Sequence, residues 1–234
     1  MSSSLSLLPI VFIPGASSDE ASWEAQRSHF GGTTVNLTGF DNIGSMGDYV
    51  LQQAPEAFIL CGTSMGGYVA FDVLKKAGNR VKAAILCNTS ARADTPERKR
   101  QRQMEINAGE DAYRAARQDD SHYHAFISRK SAGDKQLIAR LRAISERVGY
   151  STFKRHQQAC MDRAESLSYL SEIKMPVLVI GGSEDTLIPN ELQKEIADGI
   201  AGSQLSFIPD TGHITNMEAP GALNDEIEEF LKAA

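Results

Sequence analysis

Residues 58–74 read FILCGTSMGGYVAFDVL, and few folds can hold that order of residue types. An apolar run at 58–61 meets Gly62-Thr63-Ser64-Met65-Gly66, and an amphipathic segment follows. The pattern predicts a buried strand, a sharp turn and a helix, with Ser64 at the apex. A side chain at such an apex takes a strained backbone conformation that only small neighbours tolerate. Gly62 and Gly66, two residues before and two after, supply that room, and Gly67 lets the helix pack closely. The Ser64 hydroxyl is thereby lifted off the sheet, beside the first free N–H groups of a helix. A glycine-rich turn whose serine merely caps the helix shares the pentapeptide, so the remaining residues must separate the two readings.

The flanking sequence repeats the alternation. Residues 8–13 (LPIVFI) form a short continuous apolar run, as a strand buried on both faces requires. Strands are also expected at 32–37 and 81–87, and helices from 17 to about 30 and at 42–53. This β-α-β-α-β-α-β order predicts a parallel sheet wrapped by helices. From 91 to 170 the character changes to charged segments of helical period, with helices expected at 95–108, 110–118, 134–148 and 150–159. Strands then resume at 176–180 and 204–208, with helices at 189–200 and 219–232. The expected architecture is α/β: a mostly parallel six-stranded sheet, order 2-1-3-4-5-6, flanked by helices. Residues 1–90 and 171–234 would form the core and 91–170 a helical cap insertion, because strands on both sides of the insertion need each other.

Composition narrows the function classes. The 234 residues are 41% hydrophobic and 23% charged, as in an ordinary globular chain. No apolar stretch approaches the ~20 residues of a membrane span. The opening MSSSLSLLPIVFIPG has no basic n-region and reads as a strand leading to Pro14-Gly15, so a cytoplasmic protein with no membrane partner is expected. Cys61, Cys87 and Cys160 show no ligand spacing and are expected as buried free thiols, which favours a reducing compartment. A net charge of −6 argues against nucleic-acid binding. The charge is unevenly spread: residues 91–163 hold sixteen Lys and Arg against ten Asp and Glu, a net +6 that leaves −12 elsewhere. A cationic cap could steer a small anion to the site. Alternatively, cap helices present solvated Arg and Lys faces and dock onto acidic core loops.

Two further motifs fall where a parallel sheet builds active sites, at the carboxyl ends of strands. After residues 176–180 comes Gly181-Gly182-Ser183-Glu184-Asp185-Thr186-Leu187-Ile188-Pro189. Asp185 could serve as an active-site acid or cap the following helix, and Glu184 competes for the role. After residues 204–208 comes Pro209-Asp210-Thr211-Gly212-His213. A histidine can take a proton from a serine near neutral pH and return it to a leaving group. His29 reads as a helix-end residue, and His122, His124 and His156 fall in the cap. A zinc site built on His122-Tyr123-His124 lacks a partner cluster at ligand spacing.

With Ser64, Asp185 and His213 in the order Ser…Asp…His, the chain resembles the α/β-hydrolase family over nearly its whole length. The resemblance implies Ser64 as nucleophile, Asp185 as acid in G-x-x-D-x-x-x-P, and His213 as base. It implies an oxyanion hole made by the backbone N–H groups of Met65, directly after the nucleophile, and of Ala16 in the first strand's loop. Many relatives have His-Gly where this chain has Pro14-Gly15. Proline cannot donate, which leaves Ala16 as the donor. The family's usual first two strands are absent. The compact cap and the GTSMGG elbow look most like small carboxylesterases and enol-lactonases. The implied activity is hydrolysis of a small carboxylic ester or lactone through an acyl-enzyme, with no metal or organic cofactor, by a monomer or homodimer. A carbon–carbon bond hydrolase would use the same triad. A receptor that binds without turnover would reuse the same pocket. An acid nucleophile is disfavoured by serine at the elbow, and no lysine can be assigned to a cyanohydrin-lyase site.

Overall fold

The structure, a computed structural model, describes residues 4–234. Residues 1–3, counted with the core on sequence, lie outside the described residues. Six strands form one sheet: β1 Ile10–Ile13, β2 Thr33–Thr34, β3 Phe58–Thr63, β4 Val81–Cys87, β5 Val177–Gly182 and β6 Gln204–Ile208. Their order is β2-β1-β3-β4-β5-β6 and every pairing is parallel. The helices are α1 Glu24–Phe30, α2 Ile43–Gln53, α3 Met65–Ala77, α4 Pro96–Asn107, α5 Gly109–Gln118, α6 Lys135–Asp162, α7 Asn190–Gly199, α8 Thr215–Glu218 and α9 Pro220–Ala233. Among the described residues, no helix is long and apolar enough to cross a membrane.

Strand alternation divides the core into two layers. Ile10, Phe12, Ile59, Cys61, Ile85 and Ile180 face α9 and Trp23, while Val11, Ile13, Leu60, Leu86 and Val179 face α2, α3 and α7. A third cluster, including Tyr123, Ile127, Leu137, Ile144 and Val148, lies in the insertion between β4 and β5 and reaches Met217 of α8. All three cysteines are buried free thiols.

Three expected elements differ from the structure. The helix expected from 17 begins only at Glu24, after a 3-10 turn at Glu20–Trp23 that Asp19 caps, because Ser17 at φ 54° cannot continue a right-handed helix. The strand expected over 32–37 pairs only through Thr33 and Thr34. Just beyond, Asn36 Oδ1 accepts from both the N–H and the hydroxyl of Thr38, which turns the chain away from the ladder. The helices expected at 134–148 and 150–159 run together as α6, but Gly149 between them has φ 71° and ψ 170°. That conformation suits glycine and breaks α6 into two arms.

The insertion is fastened by charge. Arg92 pairs with Glu195 at 2.7 Å, Lys130 with Asp210 at 3.1 Å and Arg147 with Asp19 at 2.9 Å. Arg129 reaches Glu184 at 3.4 Å. Cap cations thus dock onto acidic core residues, the second of the two readings of the charge asymmetry. Each exposed pair contributes at most about 1 kcal/mol. Asp94 is different: its side chain is 4% exposed and holds both Arg102 and Arg163 at 2.6 Å. Asp94→Ala would leave two buried guanidinium groups without a counter-charge, so an equilibrium unfolding loss of about 3–5 kcal/mol is expected by urea titration. A loss below about 1 kcal/mol would mean that the arginines find water or other partners.

Candidate active site

Because every strand is parallel, the carboxyl ends of β1, β3, β4, β5 and β6 share one rim, and each delivers a polar residue. Ser64 follows β3 with φ 53° and ψ −118°, a strained conformation for a residue with a side chain. A Cβ on Gly62 would lie 2.4 Å from the Gly66 carbonyl, and one on Gly66 would lie 2.2 Å from the Ile13 carbonyl. Both glycines are therefore required by close approach. Thr89 Oγ1 donates to the Ser64 carbonyl at 2.8 Å, and Ser64 makes no side-chain capping bond to α3. The helix-cap reading of the elbow fails on that last point.

Ser64, His213 and Asp185 form one line. Ser64 Oγ lies 3.0 Å from His213 Nε2, and His213 Nδ1 lies 2.9 Å from Asp185 Oδ2. With Nδ1–H donating to the carboxylate, Nε2 is left to accept the serine proton. The Asp185 carboxylate also accepts from Leu187 N, Ile188 N and Asn88 Nδ2, each at 3.0 Å. Burial pushes its carboxyl up, but the His213 charge and hydrogen bond, the Ile188 N–H and the Asn88 amide together hold it below its ordinary value. The stability this contributes is present above the ordinary value near 3.8 and is lost as pH falls below it. Asp185 accepts the Leu187 and Ile188 N–H groups in the turn before α7, but α7 starts at Asn190 with no side-chain cap, so the carboxylate orders the loop and contacts histidine without capping the helix. Glu184 instead meets Arg129, and Asp210 meets Lys130.

The Ala16 and Met65 N–H groups have no hydrogen-bond partner among the described residues. Met65 carries the first N–H of α3, where the helix dipole favours negative charge. Ala16, Ser64 and His213 line a cavity of about 560 Å³, roofed by residues of α4, α5 and α6 and walled mainly by apolar groups such as Ile144, Phe153 and Met217. Such a volume suits a small organic molecule. Among the described residues no group of three or more His, Cys, Asp or Glu is placed to hold a metal ion.

Sequence reasoning passed over three residues that order this rim. Asn88 is fully buried at φ 45°, donates to Asp185 and the Gly212 carbonyl, and accepts from Thr215 Oγ1 at 2.7 Å. Its place directly after β4 was a signal, since the same rim position carries Ser64 after β3. Glu218 accepts Gly212 N–H at 2.7 Å and Ser128 Oγ–H at 2.6 Å, while His213 N–H donates to the Phe126 carbonyl. The histidine loop is thus bonded to the cap.

His156 of α6 is the third. It is 1% exposed, with Nδ1 accepting from Ser17 N–H at 2.9 Å and Nε2 facing the Leu37 carbonyl at 3.0 Å. Only the neutral ring with its proton on Nε2 satisfies both. It holds Ser17, a residue at φ 54° next to Ala16. Burial pushes its pKa down and the Arg155 charge adds to this, against the Leu37 bond. The unfolded chain therefore binds a proton more readily than the folded one, and stability falls as pH drops below about 6.5. His156→Gln should lower the urea midpoint at pH about 7.5, and the gap to wild type should narrow by pH about 5. A gap constant across that range would mean that His156 does not titrate differently on folding.

Comparison with known proteins places the chain in a family and a fold. The family model Hydrolase_4, described as "Serine aminopeptidase, S33", matches residues 37–220. The curated "Putative non-heme bromoperoxidase BpoC" of Mycobacterium tuberculosis is 29% identical over 213 residues, covering 86% of this chain and 79% of that protein. A thermophilic esterase from Thermogutta terrifontis, solved with malate bound, superposes with TM-score 0.84 at 25% identity, covering 97% of this chain and 90% of that one. An enol-lactonase from Burkholderia xenovorans LB400 gives TM-score 0.84 over 96% of this chain and 91% of that one, and at 21% identity speaks to the fold alone.

Proposed function

The chain belongs to the α/β-hydrolase family, and on that premise we propose that it hydrolyses a small carboxylic ester or lactone through Ser64, His213 and Asp185. One observation carries the reading: the unbroken Asp185–His213–Ser64 hydrogen-bond line at the floor of a mostly apolar cavity. Ser64 Oγ attacks the carbonyl carbon while its proton passes to His213 Nε2. Asp185 holds the ring and offsets the imidazolium charge. The Ala16 and Met65 N–H groups receive the oxyanion. Collapse of the adduct breaks the acyl–oxygen bond, and His213 returns the proton to the departing alkoxide. A water, deprotonated by the same nitrogen, then attacks the acyl-enzyme and frees the acid and Ser64.

A panel of short p-nitrophenyl esters, lactones and 1,3-diketones tests this together with fluorophosphonate labelling. Ester or lactone turnover abolished by the label is the expected result. Labelling with turnover confined to diketones would replace the proposal by carbon–carbon hydrolysis. Neither labelling nor turnover would leave a binding protein on this fold.

A further inference from the structure

Two of the arginines that line the cavity have no ion pair among the described residues: Arg98, which donates to Gln101 at 2.8 Å, and Arg117, which is stacked on aromatic rings. Arg117 of α5 lines the cavity beside Tyr113 and Phe153. Its guanidinium carbon lies 3.5 Å from the Tyr113 ring centre and 5.0 Å from that of Phe153. Nη1 donates to the Tyr113 carbonyl at 3.2 Å, whereas Nε is buried with no partner. Among the described residues Arg117 has no ion pair, although Arg102, Arg114, Arg142 and Arg163 around it each have one. Glu105, the one carboxylate in the cavity lining, has its oxygens capped by the amides of Gln101 and Gln157.

Stacking on aromatic faces accounts for the planar sides of this guanidinium but supplies no counter-charge. A cation half-removed from water, on which Glu105 acts only through space and not as an ion pair, is a costly arrangement unless a ligand completes it. Arginine is also the side chain whose fork suits a carboxylate. We propose that Arg117 anchors a free carboxylate on the substrate, so that the preferred substrates are half-esters or lactones of dicarboxylic acids. This rests on the reading of the cavity as the acyl site. The carboxylate would sit under the cap and the scissile carbonyl at Ser64, with the apolar wall around the connecting methylenes. Recognition then depends on one local contact rather than on the net charge of the cap, four of whose cations are docked onto core acids.

The test compares mono-p-nitrophenyl glutarate with its neutral methyl ester and measures glutarate binding by calorimetry. Wild type is expected to favour the anionic ester by about tenfold or more in kcat/KM, chiefly through KM, and to keep that advantage at about 0.5 M salt. In Arg117→Met the advantage should disappear, glutarate affinity should fall about tenfold, and the neutral ester should react within about threefold of wild type. Arg117→Lys, which keeps the charge without the fork, should fall between. No preference for the anion in wild type overturns the proposal without any variant. So does a preference that salt abolishes and Arg117→Met leaves intact, since that result assigns the effect to surface charge. If neither ester turns over, the ester-hydrolase reading fails, and glutarate binding with and without Arg117 still decides the anchor.

Discussion

Ser64→Ala is expected to lower kcat/KM by about 10⁴–10⁶-fold and to abolish labelling by a fluorophosphonate. The expectation follows from position as well as residue type. Ser64 is the serine whose Oγ lies within hydrogen-bond reach of His213, beside the Met65 N–H, which has no partner among the described residues. The substitution removes the attacking oxygen and leaves the φ of 53° unchanged, since alanine meets the same strain there as serine. Intact-mass measurement should show one label per wild-type chain and none on the variant. A label that persists in Ser64→Ala, or residual turnover within about tenfold of wild type, would remove Ser64 from the mechanism.

Asp185→Asn comes second, with an expected loss of about 10³–10⁴-fold in kcat. The reason is the direction of one hydrogen bond. As a carboxylate, Asp185 can only accept from His213 Nδ1, which keeps Nε2 free for the serine proton. An asparagine amide turned toward the ring donates to Nδ1 and moves the imidazole proton to Nε2, where it cannot accept. Leu187 and Ile188 would still find an oxygen at the Oδ1 position, while Asn88 would lose the Oδ2 acceptor and keep the Gly212 carbonyl, so the turn should survive and thermal stability should fall far less than activity. Glu184→Gln and Asp210→Asn should change kcat by less than about threefold, because their carboxylates meet Arg129 and Lys130 on the cap. Equal, modest losses for all three variants would strip Asp185 of its assignment.

Much of this protein was legible in its order of residues. The alternation of apolar runs and amphipathic segments determined a parallel sheet wrapped by helices, because periods of two and 3.6 residues are local properties of the chain. The elbow was legible for the same reason, since steric room for a strained Ser64 has to come from glycines two residues away. The chain order of Ser64, Asp185 and His213 then put three chemically suited groups at strand ends that a parallel sheet gathers on one rim. Which acid among Glu184, Asp185 and Asp210 meets His213 was decided only by the tertiary structure, and neighbouring carboxylates look alike in sequence. The same holds for Asn88 on Asp185, 97 positions apart, and for His156 on Ser17, 139 positions apart. It holds for charge too: a count gave the cap a net +6, but only folding decided that four of its cations meet core acids, that two share Asp94, and that Arg117 lines the cavity with no ion pair among the described residues. Periodicity and local sterics are written along the chain, whereas the partner of a hydrogen bond or an ion pair is set by proximity between distant segments, which exists only once the layers have packed.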